Sequence, residues 1–87
     1  MPNHFSAYPN PFRDELSFEV EVDNNLSAII RISDQDGKIM KLLSWNLKKG
    51  TNKTSLTDLE KWSAGEYFLD MKDMKGDSIF NLKLVKQ

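Results

Sequence analysis

Few side chains in this 87-residue chain have the types and spacing that catalysis requires. His4 is the only histidine and no cysteine is present, so neither a histidine-based triad nor a cysteine-based metal site is expected. Paired carboxylates such as Asp34 and Asp36 could act on sugars, but we expect them to cap turns. We therefore predict that the chain is not an enzyme and has no catalytic residue and no cofactor.

The segment Asp34-Gln35-Asp36-Gly37 contains the first acidic positions of a calcium-binding loop. A full loop of the EF-hand type also needs oxygen ligands at positions five and twelve. Counted from Asp34, these positions hold Lys38 and Trp45, which supply no carboxylate. The spacing therefore predicts a turn in which Gly37 has a positive φ, and no metal site.

Two tryptophans, Trp45 and Trp62, could bind sugars if their rings were exposed on a β-sandwich. Packing in or beside the core is the interpretation that we favour for both rings. A carbohydrate-binding or adhesion module is therefore the alternative function that the residues leave open.

Length and charge indicate one small domain. A chain of 87 residues buries roughly 60–65% of its unfolded surface, so its core is close to the lower size limit. The 12 basic and 13 acidic side chains give a net charge of −1, which argues against nucleic-acid binding. The longest apolar runs are two or three residues, so no membrane span is expected. Residues 1–4 lack the features of a signal peptide, and we expect them to be flexible or to result from the excision of a fragment.

A period of two in hydrophobicity predicts β-strands along most of the chain, as in the run from Leu16 to Val22. With a short strand before Pro9, the pattern predicts about seven strands in an antiparallel sandwich. The sequence Thr57-Asp58-Leu59-Glu60 fits a capping box, so one short helical turn is expected near 57–63. The residues that we expect to face inward are Leu16, Phe18, Val20, Ala28, Ile30, Ile32, Tyr67, Leu69, Phe80 and Leu82.

The segment Tyr8-Pro9-Asn10-Pro11-Phe12 precedes the first long strand. Pro9 and Pro11 lack N–H groups and favour extended geometry in the residues before them. Such a segment suits a sheet edge or a place where the chain crosses from one sheet to the other. Asn10 can bond to neighbouring backbone through its side chain, and Phe12 can close one end of the core. The segment is therefore predicted to clamp the start of the sandwich.

Six landmarks follow one another in an order that is typical of a known family. They are Tyr8-Pro9-Asn10-Pro11-Phe12, Asp34-x-x-Gly37-Lys38, Gly50-x-Asn52, Leu56-x-x-Leu59, Gly65-x-Tyr67-Phe68 and a basic C-terminal strand. Their order and spacing resemble the type IX secretion system C-terminal sorting domain (type A) of the Bacteroidetes, over about residues 6–87. Each motif is weak by itself, whereas six in register are fairly specific.

The resemblance implies that residues 1–87 are a single Ig-like sorting domain that directs a cargo protein across the outer membrane. It implies three partners, namely the outer-membrane secretion translocon, its associated processing peptidase and an upstream cargo domain of the same precursor. It also implies passage through the periplasm to the cell surface or the extracellular space, usually followed by cleavage of the domain and by release of the cargo or its anchoring at the surface. The motif or partner-binding residues would be Tyr8, Pro9, Asn10, Pro11, Phe12, Asp34, Gly37, Lys38, Gly65, Tyr67, Lys83, Leu84, Val85 and Lys86.

Other interpretations share part of this pattern. The Ig-like domain of the flagellar hook-capping protein has a similar start, but tends to carry a Trp-Asp-Gly-x-Asp segment where this chain has GTNKTSLTDLEKWSAGEY. A passive Ig-like spacer of a larger surface protein is a further possibility. Residues 83–86 could form an ordinary final strand with solvated lysines, or a docking element for the export machinery.

Overall fold

The computed structural model describes residues 2–87, which form seven β-strands and no helix. One of them spans Leu16 to Val22, the run whose alternating hydrophobicity predicts a strand. The strands are β1 (Pro2–Tyr8), β2 (Leu16–Val22), β3 (Leu26–Ser33), β4 (Ile39–Leu47), β5 (Gly50–Leu56), β6 (Gly65–Asp73) and β7 (Ser78–Lys86).

The strands form two antiparallel sheets packed face to face. Sheet A has the strand order β1-β2-β5, and sheet B has the order β4-β3-β6-β7. This division of seven strands is that of an immunoglobulin-like sandwich. The predicted all-β, Ig-like fold of about seven strands is therefore confirmed.

The two sheets have edge strands on both lateral sides of the sandwich. On one side β1 adjoins β7, and the rings of Phe5 and Phe80 stack there with their centroids 5.1 Å apart. The strand orders therefore place β4 and β5 together on the opposite lateral side.

The inner faces of the two sheets form one hydrophobic core. Of the ten residues predicted to face inward, eight are buried, while Phe80 and Leu82 are partly buried against the same core. Both of these lie on β7, which is an edge strand and therefore has one open flank. The other buried hydrophobic residues are Phe12, Val22, Leu47, Leu56, Leu59, Met71 and Leu84.

The connection between β5 and β6 contains a turn but no helix. The N–H of Trp62 donates to the carbonyl oxygen of Leu59 at 3.0 Å, which closes a turn over four residues. Asp58 has a φ of 62°, in the left-handed region, so the backbone leaves the helical path where a capping box would begin. The short helical turn expected near 57–63 is therefore reduced to this single turn.

Candidate partner-binding site

The segment from Tyr8 to Phe12 carries the chain from sheet A to the outer edge of β7 in sheet B. There the side chain of Asn10 pairs with the β7 backbone as a neighbouring strand would. Its Nδ2 donates to the carbonyl oxygen of Lys83 at 3.1 Å, and its Oδ1 accepts from the N–H of Val85 at 2.9 Å. Asn10 therefore covers two backbone groups of an edge strand that would otherwise face solvent.

Phe12 continues this pairing with its backbone and fills the core with its ring. Its N–H donates to the carbonyl oxygen of Val85 at 2.8 Å, and its own carbonyl oxygen accepts from the N–H of Gln87 at 2.9 Å. The buried ring lies 6.2 Å from the rings of Trp62 and Tyr67, measured between centroids. The segment thus holds the end of β7 by four hydrogen bonds and closes one end of the core, in agreement with the predicted clamp.

Tyr67 lies near the start of β6 and forms the tyrosine corner found in Ig-like sandwiches. Its ring is buried, and its hydroxyl donates to the carbonyl oxygen of Ser63, four residues upstream, at 2.7 Å. Burial, with a smaller contribution from the carboxylate of Asp34, raises the pKa of Tyr67 above its usual value of 10.0. The hydroxyl therefore remains a hydrogen-bond donor well into the alkaline range.

The loop between β3 and β4 is closed by the side chain of Asp34. Its Oδ1 accepts from the N–H groups of Asp36 and Lys38, both at 2.9 Å, and Gly37 has a φ of 85° that favours glycine. The loop between β6 and β7 repeats this arrangement, with Asp73 accepting from two N–H groups of its own loop. The Asp-x-x-Gly pattern therefore stabilises the loops that connect adjacent antiparallel strands, and the predicted turn is confirmed.

Gly65 brings the Asp34 loop against the start of β6. It has a φ of 144°, and a Cβ at this position would lie 3.3 Å from Nε2 of Gln35, so any other residue would be strained and crowded. A shallow cavity of about 340 Å³ lies between the loop and the segment that precedes β6. Its lining includes Asp34, Lys38, Lys61, Trp62 and Glu66.

Five of the six sequence landmarks converge at one end of the sandwich, which we call the motif pole. The N–H of Leu59 donates there to the carbonyl oxygen of Asp14 at 2.9 Å, which ties the β5–β6 connection to the start of the domain. The motif pole comprises residues 8–12, residues 34–38, residues 59–67 and residues 83–87, which are the end of β7 and the residue after it.

The sixth landmark, Gly50-x-Asn52, lies at the opposite end, which we call the far pole. Asn52 clamps the β4–β5 connection there, because its Oδ1 accepts from the N–H of Lys48 at 2.9 Å and its Nδ2 donates to the carbonyl oxygen of the same residue at 2.8 Å. Val22 pairs with both Pro2 and Gly50 at this end. The chain therefore enters the sandwich at the far pole.

Exposure alternates along the last four residues of β7. Lys83 is exposed, and its Nζ lies 3.3 Å from a carboxylate oxygen of Glu66, whereas Leu84 is fully buried. Val85 is partly exposed, and Lys86 is only 7% exposed, with its Nζ donating to the carbonyl oxygen of Gln87 at 2.9 Å. Lys86 is thus not the solvated lysine that an ordinary final strand would carry, although Lys83 is solvated.

The other residues considered for chemistry are not assembled into a site. Among residues 2–87, no group of three or more histidine, cysteine, aspartate or glutamate side chains could hold a metal ion. Trp45 and Trp62 are partly buried against the core, which is the packing that the sequence favoured. No helix in the described part of the chain has the length and apolar character needed to cross a membrane.

Comparison with protein families distinguishes between the sorting domain and its alternatives. The model of the family described as "Secretion system C-terminal sorting domain" matches residues 6–87. The chain belongs to this family. No curated protein matches the chain. The resemblance noted on the six landmarks is therefore confirmed.

As a sorting domain, the chain is a C-terminal signal for type IX secretion. It takes its cargo to the cell surface or the extracellular space, and it interacts with the type IX secretion machinery and with an upstream cargo domain. No observation favours the carbohydrate-binding alternative.

Sequence reasoning missed the contribution of Trp62 to the motif pole of the sorting domain. Its ring lies 5.0 Å from that of Tyr67 and edge-on to Phe12, so it completes the aromatic cluster at this end. The available signal was its position three residues after Leu59, the spacing across a single turn.

Proposed function

We propose that the motif pole is the surface that the outer-membrane translocon recognises. The landmark residues at the motif pole are of two kinds. Exposed side chains can contact a partner, and buried side chains hold the exposed ones in position. The exposed landmark side chains are Tyr8, Pro9, Asn10, Pro11, Lys38 and Lys83, with Val85 partly exposed. The buried ones are Phe12, Tyr67, Leu84 and Lys86.

The observation that carries the proposal is the pairing of Asn10 and Phe12 with the end of β7. These four hydrogen bonds join residues more than 70 positions apart in sequence. The surface can therefore form only after the first and last parts of the domain have both docked. A translocon that reads this surface would accept the folded domain and ignore an unfolded one.

The position of the cargo supports the same proposal. The chain enters β1 at the far pole, where Pro2 pairs with Val22, so an upstream cargo domain is attached at the end opposite the proposed contact surface. The motif pole then remains accessible whatever the shape of the cargo. We further propose that the domain crosses the periplasm with its cargo attached, and that a processing peptidase later cuts on the cargo side of β1.

We also propose that the domain has no catalytic role of its own. His4 lies on β1 opposite Glu21 of β2, and the carboxylate of Asp34 accepts hydrogen bonds from two N–H groups of its own loop. The domain would thus act only through the surface that it presents.

The direct test is a transfer experiment. A foreign soluble domain with an N-terminal export signal, fused ahead of residues 2–87, should appear outside cells that possess the type IX machinery. The same fusion should stay in the periplasm when the translocon is disabled. Failure of the unaltered fusion to leave the periplasm would show that these residues are not a sufficient signal.

A pair of double variants tests the contact surface. Tyr8→Ser with Lys83→Glu changes an exposed aromatic ring and an ion-paired lysine at the motif pole. Met74→Ser with Lys72→Glu makes an equivalent change away from it, since Met74 is exposed and Lys72 is paired with Asp70. We expect export to fall for the first variant only, at equal melting temperature. Equal export of both would locate the contact elsewhere.

A further inference from the structure

Charge is distributed unevenly along the chain. Five of the 12 basic residues and none of the 13 acidic residues lie between Asp36 and Asp58. This stretch therefore carries +5, and the rest of the chain, with seven basic and 13 acidic side chains, carries −6. The stretch forms β4 and β5, which lie together on one lateral side of the sandwich. We call this side the basic side, with lysines Lys38, Lys41, Lys48, Lys49 and Lys53.

The lysines of the basic side are largely uncompensated. All five are exposed, and Lys53 is paired with Glu19 of β2 at 3.6 Å. In the part of the chain that the structure describes, none of the other four lies within salt-bridge distance of a carboxylate. A group of positive charges without nearby carboxylates attracts an anionic partner and repels a second copy of the same surface.

The backbone of β4 is also open for pairing. β4 is nine residues long, and among the strands that the structure describes it pairs with β3 alone, so the N–H and carbonyl groups along its other flank have no partner strand. Ile39 and Leu42 on this strand are 50% and 60% exposed. An open edge with exposed apolar side chains is the usual template for adding a strand from a partner. The end of β7, in contrast, is already covered by Asn10 and Phe12.

We propose that β4 is a docking edge for an extended acidic segment of a partner protein, which adds to sheet B as a fifth strand. Apolar side chains of the segment would contact Ile39 and Leu42, and its carboxylates would meet the lysines of the basic side. This surface is distinct from the motif pole, so the inference goes beyond the proposed contact with the translocon.

Lys41 favours an acidic partner over a second copy of the domain. It is in register with the buried Ile32, on the core-facing side of β4, yet it is exposed because β4 is the last strand of the sheet. An inward-pointing lysine on an edge strand discourages pairing with a neutral or basic strand. The same charge is complementary to a carboxylate, so one residue supplies both the repulsion and the attraction that specificity requires.

The test uses a synthetic peptide of about ten residues, the length of a strand, that alternates glutamate with valine and threonine. Titrated into isotopically labelled domain, it should shift the amide resonances of β4 first, and its affinity should fall as salt is added. An analogue with N-methylated backbone on one edge keeps the charge but cannot pair as a strand, so it should not bind. Absence of binding by the parent peptide, or equal binding by both peptides, would overturn the proposal.

Matched charge reversals locate the site. Lys41→Glu with Lys48→Glu should weaken peptide binding by about tenfold or more. Arg13→Glu with Lys75→Glu changes the net charge equally at exposed positions outside the basic side and should leave binding unchanged. Equal weakening by both pairs would indicate a response to net charge alone and would reject a β4 site. Binding to phosphatidylglycerol vesicles without binding to the peptide would identify an anionic lipid surface instead of a partner strand.

Discussion

Substitution of Asn10 by alanine tests whether the opening segment clamps the last strand. The change removes two hydrogen bonds, one to the carbonyl oxygen of Lys83 and one from the N–H of Val85. At roughly 0.5–1.5 kcal/mol each, the loss would be about 1–3 kcal/mol. Asn10 is exposed, so water can partly replace it, and we expect about 1–2 kcal/mol. Domains of this length have roughly 4–13 kcal/mol of stability, so the effect is measurable.

Urea denaturation and a thermal melt would measure the global effect. A loss of about 1–2 kcal/mol should lower the melting temperature by roughly 4–16 °C. Hydrogen exchange would measure the local effect, because the amide of Val85 donates to Asn10 and should lose protection ahead of the interior amides of β6. Asn10→Asp should behave similarly, because it keeps the acceptor for Val85 but places a carboxylate beside the carbonyl oxygen of Lys83.

Two other asparagines supply controls. Asn46 accepts a single hydrogen bond, from the exposed hydroxyl of Ser27, among the contacts that the structure describes, so Asn46→Ala should cost less than about 0.5 kcal/mol. Asn52 clamps the backbone at the far pole, so Asn52→Ala should destabilise about as much as Asn10→Ala without affecting the exchange of Val85. If Asn10→Ala left the exchange of Val85 unchanged, or cost no more than Asn46→Ala, the clamp would be refuted. In the export assay, equal losses for Asn10→Ala and Asn52→Ala would point to stability alone and not to a surface at the motif pole.

Two further predictions concern the aromatic cluster. Phe12→Ala leaves a cavity beside Trp62 and Tyr67 and should lower the free energy of unfolding by about 3–5 kcal/mol. Circular dichroism should then show much of the population unfolded, whereas Phe12→Leu should remain folded. A folded and stable alanine variant would contradict the burial of this ring. Because the pKa of Tyr67 is raised in the folded state, the unfolded chain loses that proton first, so the corresponding stability is complete below about pH 10 and is lost as the pH rises through the folded pKa. Tyr67→Phe should lose about 0.5–1.5 kcal/mol at neutral pH and show a smaller alkaline decline in unfolding free energy; an unchanged decline would assign it to other groups.

The strands were predictable because each one carries its own signal. The alternation of Leu16, Phe18 and Val20 with polar residues requires one face of β2 to be buried, whichever strand is its neighbour. The turns at Asp34 and Asp73 were equally local, since each Asp bonds to backbone groups of its own loop. The expected helical turn was wrong in detail because the capping pattern does not report the left-handed backbone of Asp58.

The site was less predictable because it depends on contacts between distant parts of the chain. The sequence suggested that Asn10 would bond to neighbouring backbone, whereas its partners lie on β7, more than 70 residues away. Lys86 illustrates the same limit. Lys86 follows the inward-facing Leu84 by two residues, which indicates that it also points inward. Only the packing of the C-terminal end shows that its charged group lies in a nearly buried position.

The edges of the two sheets link the fold to the function. A sorting domain must remain folded and separate from other chains until the translocon binds it, and an open sheet edge is a risk for aggregation. The end of β7 is protected by backbone and side-chain pairing with residues of the opening segment, which also builds the motif pole. β4 is protected only by charge, through Lys41 and its neighbouring lysines. Charge repels similar strands but attracts acidic ones, so β4 is an edge that can still accept an acidic partner strand after the domain has folded.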